Sequence, residues 1–123
     1  MASNKIVRFG PVALSNSLSN VVNPPTVTGG SGVAGTNTAT YLVIRHVRVV
    51  NKTATAATCS FYIGASGGSA AGTEVIGNAL SVAANSYIDW YGSMRLDTTD
   101  FLTGIASATT TLTFQGEGEI GIA

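Results

Sequence analysis

Charge, cysteine and long apolar runs are what this chain has least of. Only 10% of its 123 residues are Asp, Glu, Lys or Arg, against a usual share of about 25%. Six cations and six acids cancel, so no basic surplus exists to displace counterions, and sequence-independent nucleic-acid binding is excluded. Intrinsic disorder needs low hydrophobicity with high net charge, whereas 45% of these residues are hydrophobic. No apolar run approaches the ~20 residues of a membrane-spanning helix, so no membrane partner is expected. The first nine residues lack the apolar core of a signal peptide, and the chain is expected to be made and used without export. Its one cysteine, Cys59, allows no intrachain disulfide. Set in Cys59-Ser60-Phe61-Tyr62-Ile63, it reads as a small buried hydrophobe. Asn51-Lys52-Thr53 fits a glycosylation acceptor, which without secretion is a chance match.

Catalytic residue types are equally scarce. His46 is the only histidine, and no Gly-x-Ser-x-Gly elbow presents a serine to it. One His with one Cys cannot complete a structural zinc site. Asp97 and Asp100 are close enough in sequence to suggest calcium, but the alternating oxygen ligands of an EF-hand are missing; Asp97 reads instead as the cap of one helical turn. Glu117 and Glu119 stand two apart on one strand face, which a glycosidase pair could use, but nothing beside them singles the pair out from a solvated face. Gly29-Gly30-Ser31-Gly32 and Gly67-Gly68-Ser69 lack the Gly-Lys-Ser/Thr end of a phosphate loop and are read as loops. Trp90 with Tyr87 and Tyr91 could stack a sugar; a core Trp with its N–H at the rim is the default. No catalytic residue, cofactor or metal is predicted, and the chain is not read as an enzyme.

Short strand patterns fill the chain instead, bounded by Gly, Asn and Pro. They cover residues 5–9, 12–22, 40–51, 57–64, 75–82, 87–91, 101–107, 110–115 and 119–122. In 12–22, Val12, Leu14, Leu18 and Val22 share a face at period two. Residues 40–51 are densest in β-branched side chains, with Val43, Val47 and Val49 expected in the core with Phe61. Residues 51–55 are expected to turn this strand into a partner over 57–64, and 101–107 with 110–115 to form a hairpin. Asn23-Pro24-Pro25 ends a ladder, and residues 28–37 read as a long loop. The expectation is an all-β fold: one antiparallel β-sandwich or small jelly roll of about seven to nine short strands, spanning residues 1–123, with 1–10 as an N-terminal docking arm.

The neutral total hides a segregation. Residues 1–73 carry five cations and no acid, and residues 74–123 carry Arg95 against six acids. Either the halves interleave and pair across strands, or a basic face of one copy meets an acidic face of the next. The second alternative marks Arg45, Arg48, Glu117 and Glu119 as candidate subunit-interface charges.

Two stretches carry a resemblance. One is residues 45–64, from Arg45-His46-Val47-Arg48 through Phe61-Tyr62-Ile63-Gly64; the other is Val82-Ala83-Ala84-Asn85-Ser86-Tyr87-Ile88-Asp89-Trp90-Tyr91-Gly92, followed by Leu96-Asp97 and Asp100-Phe101-Leu102. With the closing Gly116-Glu117-Gly118-Glu119-Ile120-Gly121, this part of the chain resembles small β-sandwich virion structural proteins of tailed bacteriophages. That resemblance implies a non-enzymatic capsid decoration (cement) protein that binds the major capsid protein and stabilises the shell. Its alternatives are a neck or tail accessory protein contacting other virion proteins, or a carbohydrate-binding β-sandwich at the host surface. It further implies a virion assembled in the host bacterial cytoplasm, while the segregated charges point to a homo-oligomer, trimer or ring. The loose family has no catalytic motif to carry across.

Overall fold

The β-branched density of residues 40–51 produces the longest strand among the described residues, β3 (Ala39–Asn51), because side chains branched at Cβ fit the pleated surface well. In the computed structural model, which describes residues 5–22, 39–97, 99–108 and 111–122, seven further strands accompany it. They are β1 (Lys5–Ala13), β2 (Ser19–Val22), β4 (Ala57–Gly64), β5 (Glu74–Val82), β6 (Ser86–Leu96), β7 (Phe101–Ala106) and β8 (Leu112–Ile122). No helix occurs among the described residues.

The strands form two antiparallel sheets, β1-β8-β3-β6 (sheet I) and β2-β7-β4-β5 (sheet II). β1 pairs with β8, β2 with β7, β3 with β6 and β4 with β5. These are the partners in one long hairpin whose two arms are rolled up together, and the contacts β3–β8 and β4–β7 close the roll. An eight-strand sandwich with this pairing is a jelly roll. The fold is all-β, as expected.

Several expectations about individual segments need correction. Residues 12–22 are not one strand: β1 ends at Ala13, the backbone bends through Asn16 and Ser17, and β2 starts at Ser19. β3 and β4 do not pair, nor do β7 and β8, since the members of each couple lie in opposite sheets. Local sequence cannot separate these cases, because a hairpin and a crossing between sheets use the same turn residues. Residues 87–91 and 94–96 join into the single strand β6. Of the supposed docking arm, residues 5–10 belong to β1, paired with β8, while residues 1–4 and the loop 28–37 lie outside the described residues.

Between the sheets lies a core of alternating inward side chains, among them Leu42, Ile44, Val47, Val49, Cys59, Phe61, Leu96, Leu102 and Phe114. Phe114 of sheet I ties it together, with its ring 5.5 Å from Phe61 across the sandwich and 6.0 Å from Phe9 alongside. Val43, expected in the core, is only partly buried. The reason is a β-bulge between Ile44 and His46. Leu42 and Ile44 face inward before it, Val47 and Val49 after it, so strict alternation from Val47 back to Val43 fails. Gly116 and Gly118 of β8 admit this bulge. A Cβ on either would collide with a β3 carbonyl oxygen, that of His46 or of Val43, and at Gly116 also with the Phe9 ring 2.6 Å away.

Asn51, the residue of the glycosylation-like tripeptide, is fully buried. Its amide nitrogen donates to the carbonyls of Thr55 (2.9 Å) and Val82 (3.1 Å), and its oxygen accepts from the Thr53 N–H (2.9 Å) and hydroxyl (2.7 Å). The side chain pins the crossing from sheet I to sheet II and is closed to modification in the folded state.

Candidate functional site

Each strand of sheet I alternates between core and solvent, so its outer face collects the residues between the buried ones. Rows across that face follow from the register. Arg8 of β1 stands opposite Glu117 of β8, Glu117 opposite His46 of β3, and His46 opposite Tyr91 of β6. In the next row, Gln115, Arg48 and Asp89 align; in the one after, Thr113, Val50 and Tyr87. Among the described residues, the exposed large hydrophobic side chains Ile6, Tyr87 and Tyr91 all belong to the edge strands of this sheet, β1 and β6.

Asp89 is the hub. Arg48 donates to it through both Nε (2.8 Å to Oδ1) and Nη2 (3.2 Å to Oδ2), and His46 Nε2 lies 2.9 Å from Oδ1. The Arg48 hydrogen bond first, and that of His46 second, hold the Asp89 carboxyl down at about 2, against an opposing effect of burial. Reciprocally, Asp89 raises the affinity of Arg48 for its proton. On its other side, His46 Nδ1 is 3.5 Å from Glu117 Oε1. The imidazole stacks on the Tyr91 ring at 4.6 Å, and the Arg48 guanidinium sits 4.4 Å from the centre of the Tyr87 ring. Beside this cluster, Arg45 pairs with Glu119 at 3.1 Å and also donates to the Ser93 hydroxyl.

The four candidate interface charges therefore stand together on one face. Arg45 and Glu119 pair with each other, Arg48 pairs with Asp89, and Glu117 approaches His46. The segregated halves interleave because the jelly roll pairs each first-half strand with a second-half strand. Exposed pairs of this kind are each worth about 0–1 kcal/mol; their chief effect is to fix side-chain positions. Sequence reasoning missed Asp89, Arg8 and Gln115. Period-two alternation in the strand expected at 87–91 puts Tyr87, Asp89 and Tyr91 on one face, but only the pairing of β3 with β6 identifies Arg48 and His46 as the partners of Asp89.

Arg8, His46, Arg48, Gln115, Gly116 and Glu117 line a depression of about 230 Å³ on this face. Both ring nitrogens of His46 are turned to carboxylates, and no hydroxyl or thiol bonds to either among the described residues, so the geometry holds no triad. The helical turn expected after Asp97 includes Thr98, which lies outside the described residues. The Asp97 carboxylate accepts from Arg95 Nε at 2.8 Å, while the Asp100 carboxylate accepts the Asp97 N–H at 3.0 Å. No group of three or more His, Cys, Asp or Glu among the described residues is placed to hold a metal ion. Trp90 packs against the core, leaving Tyr87 and Tyr91 as the exposed rings. Burial raises the Cys59 thiol to about 11.

No family model matches the sequence, and no curated protein matches it. Among solved structures, the chain is similar to a protein of Bacillus endospore appendages, described as a novel family of disulfide-linked pili. The identity is 12%, the coverage 99% of this chain and 90% of that one, and the TM-score 0.46. It is also similar to a chain of infectious bursal disease virus strain Gx, at 10% identity, 99% and 30% coverage and a TM-score of 0.42. A VP2 protein of the same virus, in T=1 particles, gives 8%, 98% and 29%, and 0.40. The chain thus spans under a third of the viral proteins' length. These are distant likenesses in chain path, below the level at which function carries over.

Proposed function

We propose that the chain is a non-enzymatic structural protein of a bacteriophage virion: a capsid decoration (cement) protein that binds the major capsid protein and stabilises the shell. The observation that carries this reading is the jelly-roll strand order, β1-β8-β3-β6 over β2-β7-β4-β5. Viral capsid domains use this architecture, as do lectins and cupins. The step from fold to role is an analogy, to which the resemblance of residues 45–64 and 82–102 to phage virion proteins adds support. Physical features suit the same role. Among the described residues both sheets end in unpaired edge strands, β1 and β6 or β2 and β5, which are a liability in a free monomer and pack against neighbours in an assembly. In this reading the chain forms a homo-oligomer, trimer or ring, and Arg45, Arg48, Glu117 and Glu119 on the outer face of sheet I fix the register between copies. The test is the copy number per purified particle, measured by quantitative mass spectrometry against the major capsid protein. Hundreds of copies support decoration of the capsid. A dozen or fewer replace it with a neck or tail position, and absence from the particle overturns the proposal.

A further inference from the structure

We propose that the depression on the outer face of sheet I is a binding site for a sugar acid: one pyranose-sized ring bearing a carboxylate and neighbouring hydroxyls, as in the uronic or sialic acid units of surface polysaccharides. β8 supplies Gln115, Gly116 and Glu117, with Arg8 of β1 on one side and His46 and Arg48 of β3 on the other. The volume of about 230 Å³ falls below the ~300–1,000 Å³ of clefts for drug-sized ligands and suits one ring of a saccharide that continues over the open face.

The side chains specify its chemistry. The Arg8 and Gln115 side chains make no hydrogen bond among the described residues, and Arg8 has no acid paired to it there. Arg48 gives Nε and Nη2 to Asp89, which leaves its Nη1 donors for a ligand. Two guanidinium groups on one small site match a carboxylate, which the planar fork grips bidentately. Glu117 lies in the same lining and repels a dianion, so a carboxylate is favoured over a phosphate carrying nearly two charges. Gln115 both donates and accepts, and Glu117 accepts. Together they suit hydroxyls, each of which offers one donor and two acceptor positions. Tyr87 against Arg48 and Tyr91 against His46 act as positioning residues, holding those two side chains upright before the ligand arrives. The inference does not rest on the virion reading. If both hold, a bound sugar acid and a neighbouring copy compete for Arg48 and Glu117.

The experiment is isothermal titration calorimetry with saturation-transfer NMR on the isolated full chain. The probes are galacturonate trimer, hyaluronan tetrasaccharide and sialyllactose, with galactotriose and lactose as neutral counterparts and tetraglutamate as an acidic peptide. At least one acidic saccharide binds about tenfold or more tightly than its neutral counterpart, because a charge-assisted pair is lost without the carboxylate. Arg8→Ala and Gln115→Ala each weaken that binding about fivefold or more, with circular dichroism and melting unchanged. Lys52→Ala, outside the depression, leaves it intact. The proposal is overturned by equal binding of neutral saccharides, by indifference to Arg8→Ala and Gln115→Ala, or by tetraglutamate binding as tightly as any saccharide. Failure of every acidic saccharide to bind at 10 mM, about 2.7 kcal/mol of affinity, also overturns it.

Discussion

Adding one methyl group at Gly118 tests the packing logic of the fold most sharply. The propensity argument gives a stabilising sign: alanine in place of glycine reduces the freedom of the unfolded chain by about 0.4–1 kcal/mol. The structure gives the opposite sign. A Cβ there would stand closer to the Val43 carbonyl oxygen than the 3.0 Å that Cβ atoms respect, and only 3.0 Å from the Val43 carbonyl carbon. The obstacle is backbone of the neighbouring central strand, so no rotamer change relieves it. β3 must move away from β8 at the bulge that sets which residues of β3 face the core. Overpacking of a fixed interior costs about 1–3 kcal/mol. A backbone clash belongs at the upper end, which leaves a net loss of about 2–2.6 kcal/mol for Gly118→Ala once the entropic gain is subtracted. At roughly 4 °C per kcal/mol for a domain of this size, the melting temperature falls by about 8–10 °C. Urea unfolding followed by Trp90 fluorescence reads the same loss as a lower midpoint at unchanged slope. A Gly118→Ala variant as stable as the parent would refute the close approach of β3 and β8.

Four further outcomes follow from individual contacts. The Asp89 carboxyl titrates near 2 in the folded chain and near 3.9 when unfolded, so the unfolded chain takes up its proton first. Its contribution is present above pH ~4 and disappears as pH falls to ~2, and urea midpoints of wild type and Asp89→Asn should converge over that window. The Cys59 thiol, raised to about 11, stays protonated where an unfolded thiol ionises. Its contribution to stability therefore fades as pH rises from ~9 to ~11, and Ellman's reagent at pH 8 labels it only after denaturant is added. Asn51→Ala strands the carbonyl of Val82 and the amide of Thr53, costing about 1–3 kcal/mol, and the wild-type Asn51 carries no glycan when the folded protein is exposed to a glycosylating enzyme. If sheet I joins copies through charge, the oligomer seen by sedimentation dissociates at molar salt and in Arg45→Glu/Arg48→Glu; identical sedimentation in every case confines those charges to pairing within one subunit.

Elements were legible in the sequence wherever local chemistry decides. The strand Ala57–Gly64 was readable to the residue, because period-two burial of Ala57, Cys59 and Phe61 runs into glycine. β3 was readable from its β-branched density. What failed were decisions taken between strands. The face of Val43 depends on a bulge that β8 accommodates with two glycines, and those glycines lie about 70 positions away. The assignment of β4 and β8 to sheets opposite their predecessors is a property of the roll, since either a hairpin or a crossing satisfies the local pattern. The candidate site was half legible for the same reason. Arg45, Arg48, Glu117 and Glu119 could be picked by charge, while Asp89, the partner of Arg48 and His46, needed the register of β6 on β3.

The charge segregation acquires a physical account only at the level of topology. Rolling a long hairpin pairs β1 with β8 and β3 with β6, so every pairing of that kind joins the first half of the chain to the second. A sequence with its cations in one half and its acids in the other then meets unlike charges around β3, at Arg48 and Asp89 across the β3–β6 pair and at Arg45 and Glu119 across the β3–β8 contact. The alternative registers disfavoured by this arrangement are those that pair first-half strands with each other: β1 against β3 would place Arg8 beside Arg45 or Arg48 with no acid in either strand. Each exposed pair adds little stability, but like charges directly opposite are penalised. The same few residues therefore act against misrolled pairings and, once the roll is closed, stand together as the polar cluster on its outer face.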